Sequence, residues 1–156
     1  MDNTHSVKTW ETLKESILNN YNDILEADEL DQYRIRVITP ILWGNCDHVE
    51  IYVDYIESTE EIILHDSNYL IYNNPEFEDK SSLIDELIDK SAGYEYDERC
   101  QIVKYIVNFK SLELNLFTTR LVNLAVECVK IESTLLYLLR NKNGECKNNN
   151  NKISTN

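Results

Sequence analysis

The 156-residue sequence predicts an α+β domain with an N-terminal helix, a short antiparallel sheet of three to four strands and a C-terminal helical half. Three observations carry that expectation. Apolar residues step by three and four near both ends of the chain but by two in the middle, which separates helix from strand. The alternating segments are joined by turns far too short for the crossovers that a parallel sheet needs. At this length the chain is most simply one domain, placed at 1–140, with an Asn-rich, low-complexity tail over 141–156 expected to be disordered.

The first helix is expected over residues 6–25. Val7, Trp10, Leu13, Ile17, Leu18, Tyr21 and Leu25 recur on one face, and Ser6 is placed to cap the start. Glu26 to Asp31 then reads as an acidic linker. Tyr33, Ile35, Val37 and Thr39 alternate with Arg34 and Arg36, a half-exposed strand that should stop at Pro40. The next strand sends Val49, Ile51, Val53 and Tyr55 to one face and His48, Glu50, Tyr52 and Asp54 to the other. Glu61–His65 and Tyr69–Asn73 follow as two short strands around the turn Asp66-Ser67-Asn68.

From Asn74 the pattern turns helical. Ser81-Ser82 opens a helix through Leu83, Ile84, Leu87 and Ile88, with Ala92-Gly93 as its stop. Ile102, Val103, Ile106 and Val107 fit one face of a helix over Arg99–Val107 and fit a strand as well. The last element is a long helix. Phe117, Leu121, Leu124, Cys128, Ile131, Leu135 and Leu138 alternate four- and three-residue steps, and Arg140, Lys142 and Gly144 suit its end. That stripe is either core against the sheet or a seam between two copies, a homodimer through the 117–138 helix.

Charge narrows the partners. Between Asp23 and Glu98 there are 21 acidic residues against Arg34, Arg36, Lys80 and Lys90, a local net of −17 within a whole-chain −13. Such a field repels phosphate backbones and anionic membranes and attracts cations. No apolar run approaches the roughly 18 residues of a membrane span, and Met1-Asp2-Asn3-Thr4-His5 has neither a basic nor an apolar leader segment, so the chain is expected to be cytoplasmic. Cys46, Cys100, Cys128 and Cys146 form no Cys-x-x-Cys pair and read as free thiols. Gly44, Gly93 and Gly144 stand alone, which rules against a glycine-rich phosphate loop, and no cofactor is expected.

The stretch from Val37 to Asn73 resembles the bacterial and phage family catalogued as domain of unknown function 1828. Thr39-Pro40, Asp47-His48 and Ile51-Tyr52-Val53 match that family's Thr-Pro start and its turn into Asp-His-Ile-x-Ile-Tyr-Val. Leu64 and Asp66 match part of its Leu-Ser-Asp-Asp-Gly turn, but Asn68 stands where the closing glycine would be. The resemblance spans about residues 33–139. It implies an α+β fold and a bacterial or mobile-element origin; it implies no activity, because the family is itself uncharacterised.

Two functional readings compete, beside a third in which the chain is a structural or oligomeric module using the 117–138 helix. In one, a non-enzymatic acidic protein binds a basic protein partner, as an immunity protein, a defence inhibitor or a nucleic-acid mimic would. His48, Glu50, Tyr52 and Asp54 on the exposed strand face supply contacts, tyrosine for area and carboxylates for charge pairing. In the other, Asp47, Glu50 and Asp66, with His48 or His65, hold a divalent cation for a metal-dependent nuclease or phosphodiesterase. Against it, Glu50 is followed by Ile51 and Tyr52 rather than by a lysine, and the surrounding charge repels nucleic acid. Cys46-Asp47-His48 is a weak nucleophile signature, since no oxyanion motif accompanies it.

Overall fold

A computed structural model of the chain describes residues 9–19 and 23–150. Helix α1 covers Trp10–Asn19 and buries Trp10, Leu13 and Ile17 at the expected spacing. Ser6, Val7 and Tyr21 lie outside the described residues. Leu25 is not helical: it is half-exposed, and its amide donates to the Ile38 carbonyl at 2.9 Å, already in register with the sheet.

The sheet has six strands, not three to four, in the order β1-β2-β3-β4-β6-β5 with every neighbour antiparallel. β2 (Arg34–Leu42), β3 (His48–Ile56) and β4 (Glu61–His65) are the expected strands. The acidic linker is a strand, β1 (Glu26–Asp31), at one edge. An edge strand needs apolar residues on one face at most, and β1 is held by its backbone ladder and by the Asp28–Arg36 ion pair across it. β2 runs through Pro40, because the pairing shifts register between Ile38 and Leu42 and leaves the proline in the irregularity. There the Thr39 hydroxyl donates to the Val49 carbonyl at 2.8 Å, a bond that the bulged ladder does not supply.

Beyond β4 the expectations diverge most. Tyr69–Asn73 is a short helix, α2, rather than a strand. A single-turn helix follows at Pro75–Phe77, then α3 (Ser81–Leu87) and another single turn at Lys90–Ala92 that ends on Gly93 at φ 92°. The C-terminal half is therefore not all helical. β5 (Tyr94–Asp97) forms the second edge, and β6 (Ile102–Asn108) inserts between β5 and β4, which settles the helix-or-strand choice there as strand. The long helix α4 spans Leu114–Asn150, its backbone continuing through Gly144; residues 151–156 lie outside the described residues.

Helices lie on one face. Ile35, Val37, Val49, Ile51, Val53, Ile62, Leu64, Val103 and Val107 meet Phe117, Leu121, Leu124, Cys128, Ile131 and Leu135 of α4 in one buried cluster that also takes in α1. The stripe that could have been a dimer seam is thus spent on the domain's own core. Cys128 is buried in it and Cys46 and Cys100 are exposed, all three as free thiols. The opposite face of the sheet is left half-exposed, with His65 the exception.

Candidate functional site: the open sheet face and its cleft

Strand alternation places Arg34, Arg36, Glu50, Tyr52, Asp54, His65 and Lys104 together on the open face. Most of the charge there is internally matched. Asp54 accepts from Arg34 Nε at 2.6 Å and Nη2 at 2.8 Å, a two-pronged pair, and from His65 Nε2 at 2.8 Å. His65 Nδ1 accepts from the Ser67 amide at 3.0 Å, so the ring carries its hydrogen on Nε2 and donates it to Asp54. Burial alone would raise the Asp54 carboxyl, but the bonds from His65 and Arg34 outweigh it and hold it below its ordinary value. Arg36 pairs with Asp28 and Lys104 with Asp97. Asp54, expected as a free contact residue, is therefore a strut, with its side chain only 17% exposed.

At one end of this face the pairing stops and a cleft of about 360 Å³ opens, lined by Ile38, Asp47, His48, Glu50, Tyr52, Asp66, Ser67 and Tyr69. Five of the six site residues read from the sequence meet here, and Asp54 does not. Glu50 and Tyr52 project from β3, where the Tyr52 hydroxyl donates to Glu50 at 3.2 Å and its ring stacks on His65 at 5.8 Å. Burial, then the Glu50 charge, holds the Tyr52 hydroxyl above its usual value.

The opposite wall comes from the loop before β3 and from α2. Tyr69 donates to Asp47 at 2.6 Å, a bond that holds the Tyr69 hydroxyl above its usual value. The Asn45 amide ties Asp47, Asn73 and the Tyr69 hydroxyl together. The loop is anchored from the core side by Glu132 of α4, a buried carboxylate that accepts from the Gly44 amide at 2.7 Å and from Asn74 Nδ2 at 2.8 Å. A Cβ at Gly44 would lie 3.0 Å from the Glu132 oxygen, which explains glycine at that position. Tyr69 is not legible as a lining residue from the sequence, because its segment has the composition of a strand and is a helix. Ser67 reads from the sequence as a turn residue only, and nothing there marks Asn45 or Ile38 as part of a site.

Asp66 sits behind the cleft rather than in it as a ligand. It is fully buried and accepts from the amides of Leu70 at 3.0 Å, Val103 at 3.0 Å and Asn68 at 3.3 Å. Burial pushes its carboxyl up against the pull of those three donors. These bonds explain why Tyr69–Asn73 folds as helix: Asp66 satisfies an amide of its first turn, as an N-terminal cap would, and Ser67 (φ 53°) with Asn68 (φ 67°) forms the tight left-handed turn into it. Asp66 borders the same cleft as Asp47 and Glu50, but its oxygens are taken by backbone amides, and among the described residues no three His, Cys, Asp or Glu side chains are grouped to hold a metal ion. His48 Nδ1 lies 3.1 Å from the Thr39 carbonyl, to which it donates, and Cys46 is an exposed loop residue with φ 70°.

Comparison with protein-family models, with curated proteins and with solved structures finds no match. The geometry thus defines the class by itself: an α+β protein with a one-sided, helix-backed antiparallel sheet whose bare face ends in an acidic, tyrosine-bearing cleft. Among the described residues no helix is long and apolar enough to cross a membrane.

Proposed function

We propose that this chain is a non-enzymatic acidic interaction protein that binds a basic protein partner through the cleft end of its open sheet face. One observation carries the reading. On a face where Asp28, Asp54 and Asp97 are each closed by an ion pair, Glu50 and Asp47 make none among the described residues, Arg36, on which the Glu50 charge also acts, being bonded to Asp28, and they stand beside two tyrosines at a cavity. Carboxylates with aromatic area around them are what a cationic protein surface docks on. A basic patch is also the footprint of proteins that handle nucleic acid, so a chain that occupies such a patch acts as an inhibitor or immunity-type protein.

The test is capture of partners from the native host by tagged protein at low and moderate salt, run beside the charge reversal Glu50→Lys. A basic protein retained at low salt, released as salt rises and lost with Glu50→Lys is the expected result. Retention that ignores both salt and the charge reversal would overturn the reading.

A further inference from the structure

The cleft has a second property besides its charge: its polar lining has spent its donors and kept its acceptors. The Tyr52 hydroxyl gives its single proton to Glu50, and the Tyr69 hydroxyl gives its own to Asp47. His48 gives its Nδ1 hydrogen to the Thr39 carbonyl, which can only accept, so Nε2 of the neutral ring is left as a bare lone pair. The Ser67 amide is bonded to His65, and both Asp66 oxygens take backbone amides. Glu50 Oε1 and Asp47 Oδ1 receive no donor from the described residues, and Arg36, the cation that the Glu50 charge acts on, is held by Asp28. Of the lining side chains only the rotatable Ser67 hydroxyl can still donate, and beside the cleft Arg36 keeps a buried Nε–H without an acceptor.

A lining with far more free acceptors than donors disfavours phosphate, carboxylate and nucleic acid, each of which needs several donors. It calls for a ligand rich in N–H groups and positively charged. We propose that the cleft is the receptor for one arginine side chain of the partner, an inference that rests on the partner-binding reading above and names the group recognised. A guanidinium brings five N–H donors in one plane and a flat face that can lie on a phenol ring. That matches separated acceptors on Glu50, Asp47 and His48 with Tyr52 and Tyr69 between them. A lysine ammonium brings three donors at a point and no face, so it satisfies fewer of these acceptors. At about 360 Å³ the cleft lies near the lower end of ligand-sized cavities, about 300–1,000 Å³, which suits one long side chain rather than a peptide segment.

The experiment is an amide-resolved NMR titration of the full chain with acetyl-Gly-Arg-Gly-amide, its lysine counterpart and its citrulline counterpart, which keeps the shape without the charge. The arginine peptide should shift residues 47–52 and 67–69, bind at least about threefold tighter than the lysine peptide and be weakened about threefold or more by Glu50→Gln. Citrulline should cause no shift. Asp47→Asn, checked for unchanged dispersion elsewhere, is the second variant and should weaken binding similarly. Equal binding of arginine and lysine, or shifts spread over the acidic 76–79 segment and untouched by Glu50→Gln, would overturn the proposal. If the peptides fail while salt-sensitive partner capture is still lost with Glu50→Lys, the arginine pocket falls and partner binding stands; loss of both results removes both.

Discussion

Two neighbouring parts of the open face use the same residue types to opposite ends. Along its middle, carboxylates close on donors: Asp54 on the Arg34 cation and the His65 ring, Asp28 on Arg36, Asp97 on Lys104. At the cleft, Glu50 and Asp47 are bonded among the described residues only by tyrosine and asparagine, and Arg36, the cation the Glu50 charge acts on, is held by Asp28. An exposed sheet face studded with uncompensated charge would destabilise the sheet, so the matched part reads as structure and the unmatched part as a surface left for something else. Glu50 and Asp54 lie four residues apart on the same face of one strand, so the difference comes from which residues stand opposite. Asp54 faces Arg34 across β2, whereas Glu50 faces Ile38.

The largest break in this comparison should come from behind the cleft. Asp66→Asn keeps the shape but turns one acceptor oxygen into an amide donor, which then confronts the Leu70 or Val103 amide. A buried donor facing a donor costs about 2–3 kcal/mol, which urea denaturation followed by circular dichroism would read as a lower midpoint. A metal-site role predicts a different result, unchanged stability with loss of cation uptake.

Next in size is the strut. Asp54→Asn removes the charge that holds Arg34 and His65, and it should cost about 1 kcal/mol, discounted because Arg34 is 43% exposed. The pH dependence gives the sharper reading. The Asp54 carboxyl sits lower in the folded chain than its unfolded value of about 3.9, so its contribution is present above that pH and is lost as pH falls through the lower folded value. Asp66 has the opposite sign. Its folded carboxyl is raised, so its contribution is complete below about pH 3.9 and is lost as pH rises through the folded value. Stability measured between about pH 2 and 6 should therefore rise less steeply with pH in Asp54→Asn than in the parent. A parallel curve would mean that the strut carries no differential charge.

Much of this fold was readable in the residues, and the exceptions have physical causes. β3, β4, α1 and α4 were legible because each has a face that must be buried, and burial writes a period into the sequence. β1 was not, because Glu26–Asp31 is an edge held by backbone and by Arg36, so hydrophobic alternation was never required of it. Tyr-Leu-Ile-Tyr-Asn has the composition of a strand; it is helical because Asp66, outside the segment, bonds the Leu70 amide. The Tyr-Glu-Tyr-Asp alternation of β5 is present in the sequence, but at four residues, between the helix stop at Gly93 and a segment that fits helix or strand equally, it is too short to stand out. For the site, Asp47, His48, Glu50, Tyr52 and Asp66 were found as chemistry-bearing letters, but their roles depend on cross-strand partners. Nothing in the sequence said that Arg34 would close on Asp54 and leave Glu50 open.

The smallest predicted effects concern the cleft's own carboxylate and the turn beneath it. Glu50→Gln should leave the denaturation midpoint within about 0.5 kcal/mol of the parent, because surface substitutions away from structural features rarely do more. Its cost should appear in partner association alone, the reverse of Asp54→Asn. The turn offers a gain instead. Ser67 holds φ 53° and Asn68 φ 67°, left-handed conformations that an L-residue adopts at some cost and glycine does not. Ser67 is the worse suited of the two, since asparagine tolerates this region and serine gains little from it. Ser67→Gly should therefore relieve strain while giving back part of the benefit through a more flexible unfolded chain, a net change of about 0.5 kcal/mol or less in favour of folding. The Ser67 amide bond to His65 is kept by glycine, so the strut survives the change. A midpoint that falls instead would mean that the Ser67 hydroxyl, not its backbone, is what that position supplies to the cleft.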